Sequence, residues 1–388
     1  MPVSPAQIRA ALDEKREAFA RFDANLLHDL KAYKRAWEAL VKAAPDRLQA
    51  LLPPSEPVGA RLLESFDGSD QGALRSALDW PSRADSLHWV RSQLTGITTF
   101  AVDGSQVFPN KDISLPVALV QIGWFENHHT ADGQYTKDIA LDVLTPDDLK
   151  MGTGEPVDRQ VNIRRFQMET QRLVAYMKGC DRPEHTLVFF DGSLVATFAE
   201  AFDPESRNAY VQAMVELLAT SQQYQVPLVG YVDTSSAHDV TTLLRWWEPT
   251  LNPVETLNDA QILKDFLAWG DRIPLMQCDR GGILDHYGDW GDQVTFTYLR
   301  TTRDRPPVRL EFPRWLWASG RIEQVVNWVR AEVIIGSGYP YAIETADQTA
   351  VLQAQDRQIF YRILQEWAER EALKLRFSRK LVSKLKRR

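Results

Sequence analysis

The chain has 388 residues, 44% of them hydrophobic and 25% charged, and a formal net charge of −7. That apolar fraction excludes a disordered polymer, and the length allows one large domain or two ordinary ones. The acidic balance excludes a uniformly basic, histone-like nucleic-acid binder.

Residues 5–50 are expected to be helical, because Ile8, Leu12, Phe19, Phe22, Leu26, Leu30, Trp37 and Leu40 recur at helical spacing among many charges. Such a stripe must pack on the body of the protein or on a partner. Residues 52–85, with Pro53, Pro54, Pro57, Gly59, Gly68 and Gly72, read as a connecting stretch. A β-rich run over 97–102 stops at Asp103-Gly104-Ser105. Two further β runs, Leu115 to Phe125 and Ile139 to Val143, complete an expected antiparallel meander. A helix follows from about Asp158 to Lys178. Thr186 to Phe190 then reads as a buried strand ending at Asp191-Gly192-Ser193. A helix over roughly Ser206 to Ser221 leads to a strand, Pro227 to Val232, that ends at Asp233. Strand, helix and strand in alternation imply a partly parallel sheet. After a Gly/Asp-rich loop (279–292), Val294 to Leu299 and Val308 to Phe312 suggest a hairpin. Two helices, about 314–332 and 341–373, follow it. The division expected is a helical extension and linker (1–90), a main domain (91–373) and a basic tail (374–388).

That tail carries eight basic residues and no acid, which leaves residues 1–373 at −15. The longest apolar run, Leu115 to Phe125, contains Pro116 and Gln121 and is too short for a bilayer, so no membrane association is expected. The N-terminus carries charge where a signal peptide needs an apolar stretch. Cys180 and Cys278 form no Cys-x-x-Cys pair, which fits a reducing cytoplasm and offers neither a zinc site nor a disulfide framework. Phosphate-loop, dinucleotide, His-Glu-x-x-His and Gly-x-Ser-x-Gly motifs are all missing. His128-His129, the one histidine pair, reads as a polar turn.

Three apolar runs end in an aspartate followed by a small residue: Asp103, Asp191 and Asp233. Turn chemistry accounts for one Asp-Gly readily. Two Asp-Gly-Ser exits together point to carboxylates projecting into a cleft beyond the sheet. Glu169 shares a helix face with Phe166, Leu173 and Tyr176. Asp347 shares one with Ile343, Ala350, Val351 and Ala354, which places both acids on buried faces. Buried carboxylates need partners or metal. The alternatives are a salt bridge from Glu169 to Arg165 or Arg172, and a helix-start role for Asp347. Acids on two helices beside acids on two strands suit a magnesium or manganese site of the two-ion type that hydrolyses phosphodiesters.

Phe-Ala-Val-Asp-Gly-Ser (100–105), Val-Phe-Phe-Asp-Gly-Ser (188–193) and Gly-Tyr-Pro-Tyr-Ala-Ile-Glu-Thr-Ala-Asp (338–347) resemble the NurA nuclease family over roughly residues 95–365. The resemblance implies an α/β fold with a ribonuclease H-like mixed sheet flanked by helices. It also implies a manganese-dependent DNA nuclease that processes ends in double-strand-break repair, partnered by a HerA-type hexameric ATPase and assembled as a homodimer. Carried over by motif, Asp103 and Asp191 match the first and second catalytic aspartates, and Glu169 the acid between them. Many members have histidine where this chain has Asp347. Aspartate there can still ligand a hard cation but cannot serve as a neutral imidazole base. Asp103, Glu169, Asp191 and Asp347 are thus the expected catalytic and metal-binding set.

Ser105, Ser193, Tyr339 and Tyr341 are candidate substrate contacts, the tyrosines reading equally as core or rim aromatics. In the tail, Lys374, Arg376, Arg379, Lys380 and Lys384 read as a phosphate-binding segment, a partner-binding segment or a solvated end. Trp246, Trp247, Trp315 and Trp317 read as core residues more readily than as base-stacking platforms. Two further functions share these features: a non-catalytic adaptor that binds DNA and an ATPase, and an actin-like nucleotide binder. The missing Gly-rich phosphate loops weigh against the last.

Overall fold

The computed structural model describes residues 4–43, 47–48, 51–76, 78–149, 157–376 and 378. Its strands are β1 (Gly59–Leu62), β2 (Thr98–Val107), β3 (Ala118–Asn127), β4 (Tyr135–Leu144), β5 (Thr186–Asp191), β6 (Leu228–Val232), β7 (Met276–Asp279), β8 (Val294–Leu299) and β9 (Val308–Pro313). Its α-helices are α1 (Pro5–Glu14), α2 (Arg16–Val41), α3 (Arg83–Leu94), α4 (Val157–Lys178), α5 (Pro204–Tyr224), α6 (Asp239–Trp247), α7 (Asp259–Leu263), α8 (Arg314–Ala318), α9 (Ile322–Ile335), α10 (Tyr341–Ala350) and α11 (Ala354–Arg370). Among the described residues no helix is long and apolar enough to cross a membrane. The chain divides into two compact units. One comprises 1–78, 233–281 and 295–310, the other 79–232, 282–294 and 311–388.

The second unit holds the expected mixed sheet. Its strand order is β6-β5-β2-β3-β4. β2, β3 and β4 form the antiparallel meander, while β5 runs parallel to both β2 and β6. This is the ribonuclease H-like arrangement. The continuous apolar runs of β5 and β6 suit strands covered on both faces. Asp203 caps the first turn of α5 by accepting from the Ser206 amide, and Pro204 stands where a missing N–H costs nothing. Gly123 lets α10 lie close on β3, since a Cβ there would stand 2.6 Å from the Ala350 nitrogen.

In the first unit, β1 pairs antiparallel with β7, and β7 with β8. The second half of α2 packs inward through Tyr33, Ala36, Trp37 and Leu40. Trp37 stands edge-on to Phe66 and donates to the Gln71 carbonyl. The unit also holds an ionic knot in which Asp239, Asp259 and Arg309 are buried and Arg280 is partly so. Asp239 accepts from Arg280 at 2.5 Å and from Arg309 at 2.6 Å. Asp259 accepts from the amides of Val240 and Thr241 and from the Tyr298 hydroxyl. Each charge there has partners, as burial demands.

Several expected boundaries are corrected. The N-terminal helix is two helices meeting at Lys15, and the second ends at Val41. α1 buries nothing, leaving Ile8 and Leu12 exposed, and Phe19, Phe22 and Leu27 in the first half of α2 are exposed too. The segment 314–332 is divided between α8 and α9, and 341–373 between α10 and α11. The loop 279–292 contains 3₁₀ turns over Gly282–Trp290. Trp315 is core, as expected, donating to the Ser221 hydroxyl. Trp247 lies under the guanidinium of Arg47 at 5.0 Å.

Candidate metal centre

β2 and β5 pair in parallel from Thr98 with Thr186 to Val102 with Phe190. There β5 ends on Asp191, but β2 does not stop at Asp103 as the sequence suggests. It continues to Val107 because β3 pairs with it along that whole length. Asp103 is therefore the first β2 residue beyond its parallel neighbour, and Asp191 is the last residue of β5. The two carboxylates flank the point where the sheet splits. Asp233 follows β6 but belongs to the first unit.

Successive side chains of a strand face opposite sides, so Asp103 and Gly104 serve different faces. Opposite Asp103 on β3 is Gly123, which leaves the way open to α10. From α10 the Asp347 carboxyl stands near enough to Asp103 to favour its protonated form. Asp347 is exposed, not buried as the spacing predicted. The inward positions belong to Ala342, Ile343, Ala346 and Ala350, and Asp347 stands one position off that stripe.

Gly104 faces α4. A Cβ there would collide with Glu169 Oε1 and stand 2.7 Å from Arg165 Cγ. Glu169 is only 8% exposed, as its helical spacing foretold. Arg165, one turn earlier, has Nη1 at 3.4 Å from Glu169 Oε1 and donates to the Gly104 carbonyl at 3.1 Å. Arg172 instead lies over the rings of Trp124 and Phe100. Despite Arg165, Glu169 Oε1 is a buried oxygen with no hydrogen-bond partner.

The electrostatics follow from this packing. Burial pushes Asp103 up to about 6; the Gly104 amide opposes the rise, while Asp347 and the charge of Asp191 add to it. Burial raises Glu169 to about 8, against the pull of Arg165 and with help from Asp103 and Asp191. Asp191 accepts from the Tyr339 hydroxyl at 2.7 Å. Tyr341 instead packs edge-on against Phe125.

Ser105 Oγ accepts from the Leu352 amide, joining β2 to the α10–α11 junction. Ser193 donates to buried Glu311, which also accepts from the Leu194 amide. Both hydroxyls have structural partners. His129 lies 3.0 Å from Glu332, which also receives the Thr99 hydroxyl and the Ala342 amide. Glu332 thus fixes the start of α10, a role the sequence reading missed. Its place on the Val325–Val329 stripe of α9 was the available signal. Lys374 and Arg376 are exposed, while Arg379, Lys380 and Lys384 lie outside the described residues.

Among the described residues, no three or more His, Cys, Asp or Glu side chains form a closed cage ready to hold an ion. The acids meet pairwise instead. Their chemistry still fits a hard divalent cation. Every donor is a carboxylate oxygen, the buried Glu169 Oε1 has no hydrogen bond, and the crowding of Asp103 by Asp191 and Asp347 is of the kind that a cation relieves.

A family profile described as the NurA domain matches residues 97–352. No curated protein matches the chain. Similar solved structures include NurA with manganese (10% identity, TM-score 0.39, covering 70% of this chain and 93% of that one). Another is NurA (8%, 0.43, 70% and 89%). The catalytic domain of human endonuclease V is a third (14%, 0.33, 80% and 93%).

Proposed function

Because the chain belongs to the NurA family of nucleases, we propose that it hydrolyses DNA phosphodiester bonds with manganese or magnesium held by Asp103, Glu169, Asp191 and Asp347. The observation that carries this is the convergence of Glu169 from one face and Asp347 from the other on the split between β2 and β5. When bound, divalent ions supply charge compensation on the phosphodiester and activation of water. The protein's part is positioning. Tyr339 orients Asp191, and Arg165 holds Glu169 against the Gly104 backbone. Burial raises the proton affinities of Asp103 and Glu169, so a bound cation would take the place of their protons.

The proposed setting is end processing of DNA in the cytoplasm, by a homodimer working with a HerA-type ATPase. The exposed stripe of Ile8, Leu12, Phe19, Phe22 and Leu27 offers a surface for such a partner. Labelled single- and double-stranded DNA with manganese or magnesium, wild type beside Asp103→Ala and Asp191→Ala, tests the chemistry. Cleavage by the wild type and none by the folded variants is expected. Full activity in both variants overturns the mechanism.

A further inference from the structure

Next to Asp347 lies a cleft of about 670 Å³ that the nuclease reading does not use. One wall is the end of β2 and the loop after it, from Gly104 to Lys111. The other is Val351, Arg357 and Tyr361, at and beyond the end of α10. Ser105 and the Leu352 amide hold the two walls together at the base. In the loop, Asn110 Oδ1 accepts from the Asp112 amide, which fixes the backbone around Lys111.

Two cations project into this space. Lys111 and Arg357 are both exposed, and neither takes part in an ion pair or side-chain hydrogen bond among the described residues. Several other arginines of this unit are engaged: Arg159 with Asp203, Arg164 with Asp142, Arg330 with Glu323. In an acidic protein, two cations free of ion pairs that share one cleft with an acid cluster give that cleft the charge to take an anionic strand. Tyr361 adds a half-buried ring.

A second observation extends the cleft outward. The chain after α11 returns to this loop. The Ser114 amide donates to the Arg376 carbonyl, the Arg376 amide to Ser114 Oγ, and the Ser378 amide to the Asp112 carbonyl. The backbone at Arg376 and Ser378 is thereby held beside the loop that carries Lys111. The sequence beyond Ser378 adds Arg379, Lys380, Lys384, Lys386, Arg387 and Arg388.

We propose that Lys111 and Arg357 bind the phosphodiesters adjoining the one cleaved, so that a single nucleic-acid strand runs from the acid cluster through this cleft toward Arg376. The volume lies in the range of small-ligand sites, which suits a few nucleotides of one strand. Two cations on its walls take successive phosphates, and Tyr361 supplies a face for a base. This rests on the nuclease reading, but its test does not depend on cleavage.

The probe is labelled oligothymidine, with binding to the full-length protein followed by anisotropy in calcium across a salt series. For single strands each phosphate contact contributes about 0.7 to the slope of log affinity against log salt. K111Q/R357Q therefore lowers that slope by about 1.4, and the affinity on the order of 10- to 30-fold at roughly 0.1 M salt. The charge-preserving K111R/R357K retains the wild-type slope, which separates lost contacts from misfolding. An unchanged slope in K111Q/R357Q, or no binding of the oligonucleotide by the wild type, overturns the proposal. A lowered slope in a protein that never cleaves DNA supports the track and overturns the nuclease reading instead.

Discussion

Glu169→Gln keeps the shape of the side chain and removes its charge. In the folded protein burial holds this acid at about 8, against an ordinary value of 4.5. The charged form is thus the disfavoured one. The penalty is absent below the ordinary value, grows as the pH climbs between the two values, and is constant above the higher one. At about pH 7 the wild type gives up on the order of 3 kcal/mol of stability to keep Glu169 in place, and about 5 kcal/mol well above pH 8. Without metal, Glu169→Gln is therefore more stable than wild type by about those amounts, and nearly equal to it near pH 4.5. Urea denaturation of both proteins in EDTA across that pH range measures the difference. Cleavage with manganese, run in parallel, should be lost in the variant. A stability difference that does not grow with pH refutes the buried carboxylate whose desolvation outweighs its pairing with Arg165. Full manganese-dependent cleavage by the variant refutes its role as a ligand.

Gly104→Ala forces Glu169 and Arg165 outward; it should cost about 1–3 kcal/mol of stability and weaken manganese binding, read by urea denaturation with a metal titration. Unaltered metal affinity would contradict the packing of Glu169 on the strand. Tyr339→Phe removes the hydroxyl from Asp191 and should lower kcat by about 10- to 100-fold, the worth of a hydrogen bond to a charged group, with little change in melting temperature. In the first unit, Asp239→Ala strands the guanidinium groups of Arg280 and Arg309 and should destabilise the protein by about 3–5 kcal/mol. A loss below about 1 kcal/mol in denaturation would mean that those arginines find other partners.

The alternation of strands and helices in the second unit was legible because it is local. β5 and β6 are unbroken apolar runs, and α4 and α5 carry clear helical stripes. Glu169 could be placed inward from Phe166, Leu173 and Tyr176 alone. Features set by distant parts of the chain were not legible. Asp-Gly-Ser at 103–105 has the composition of a turn, yet β3 keeps it extended by pairing alongside. No proline or glycine marks the break between α10 and α11. It falls where the Leu352 amide bonds to Ser105, while Gln353 and Asp356 form a capping box for the next helix. That early end, with a buried stripe one position away, is why Asp347 faces outward. Lys111 and Arg357 are 246 positions apart in the sequence, and only the fold makes them neighbours.

The end of β5 beside a continuing β2 has a consequence for tolerance to change. Asp103 and Asp191 occupy the positions immediately after the last paired residues, Val102 and Phe190. The last paired rung beneath them holds the two strands at the spacing of adjacent strands, roughly 4.8 Å, so their base is fixed by pairing and not by the length or composition of any loop. That distance is commensurate with the roughly 3.5–4 Å between paired catalytic ions. Insertions in the turns around the sheet can accumulate without moving the two acids apart. A slip of one residue between β2 and β5 would turn one of them to the opposite face. In this protein the dimension that matters for chemistry is inherited from backbone hydrogen bonding, so loops are free to vary while strand register is not.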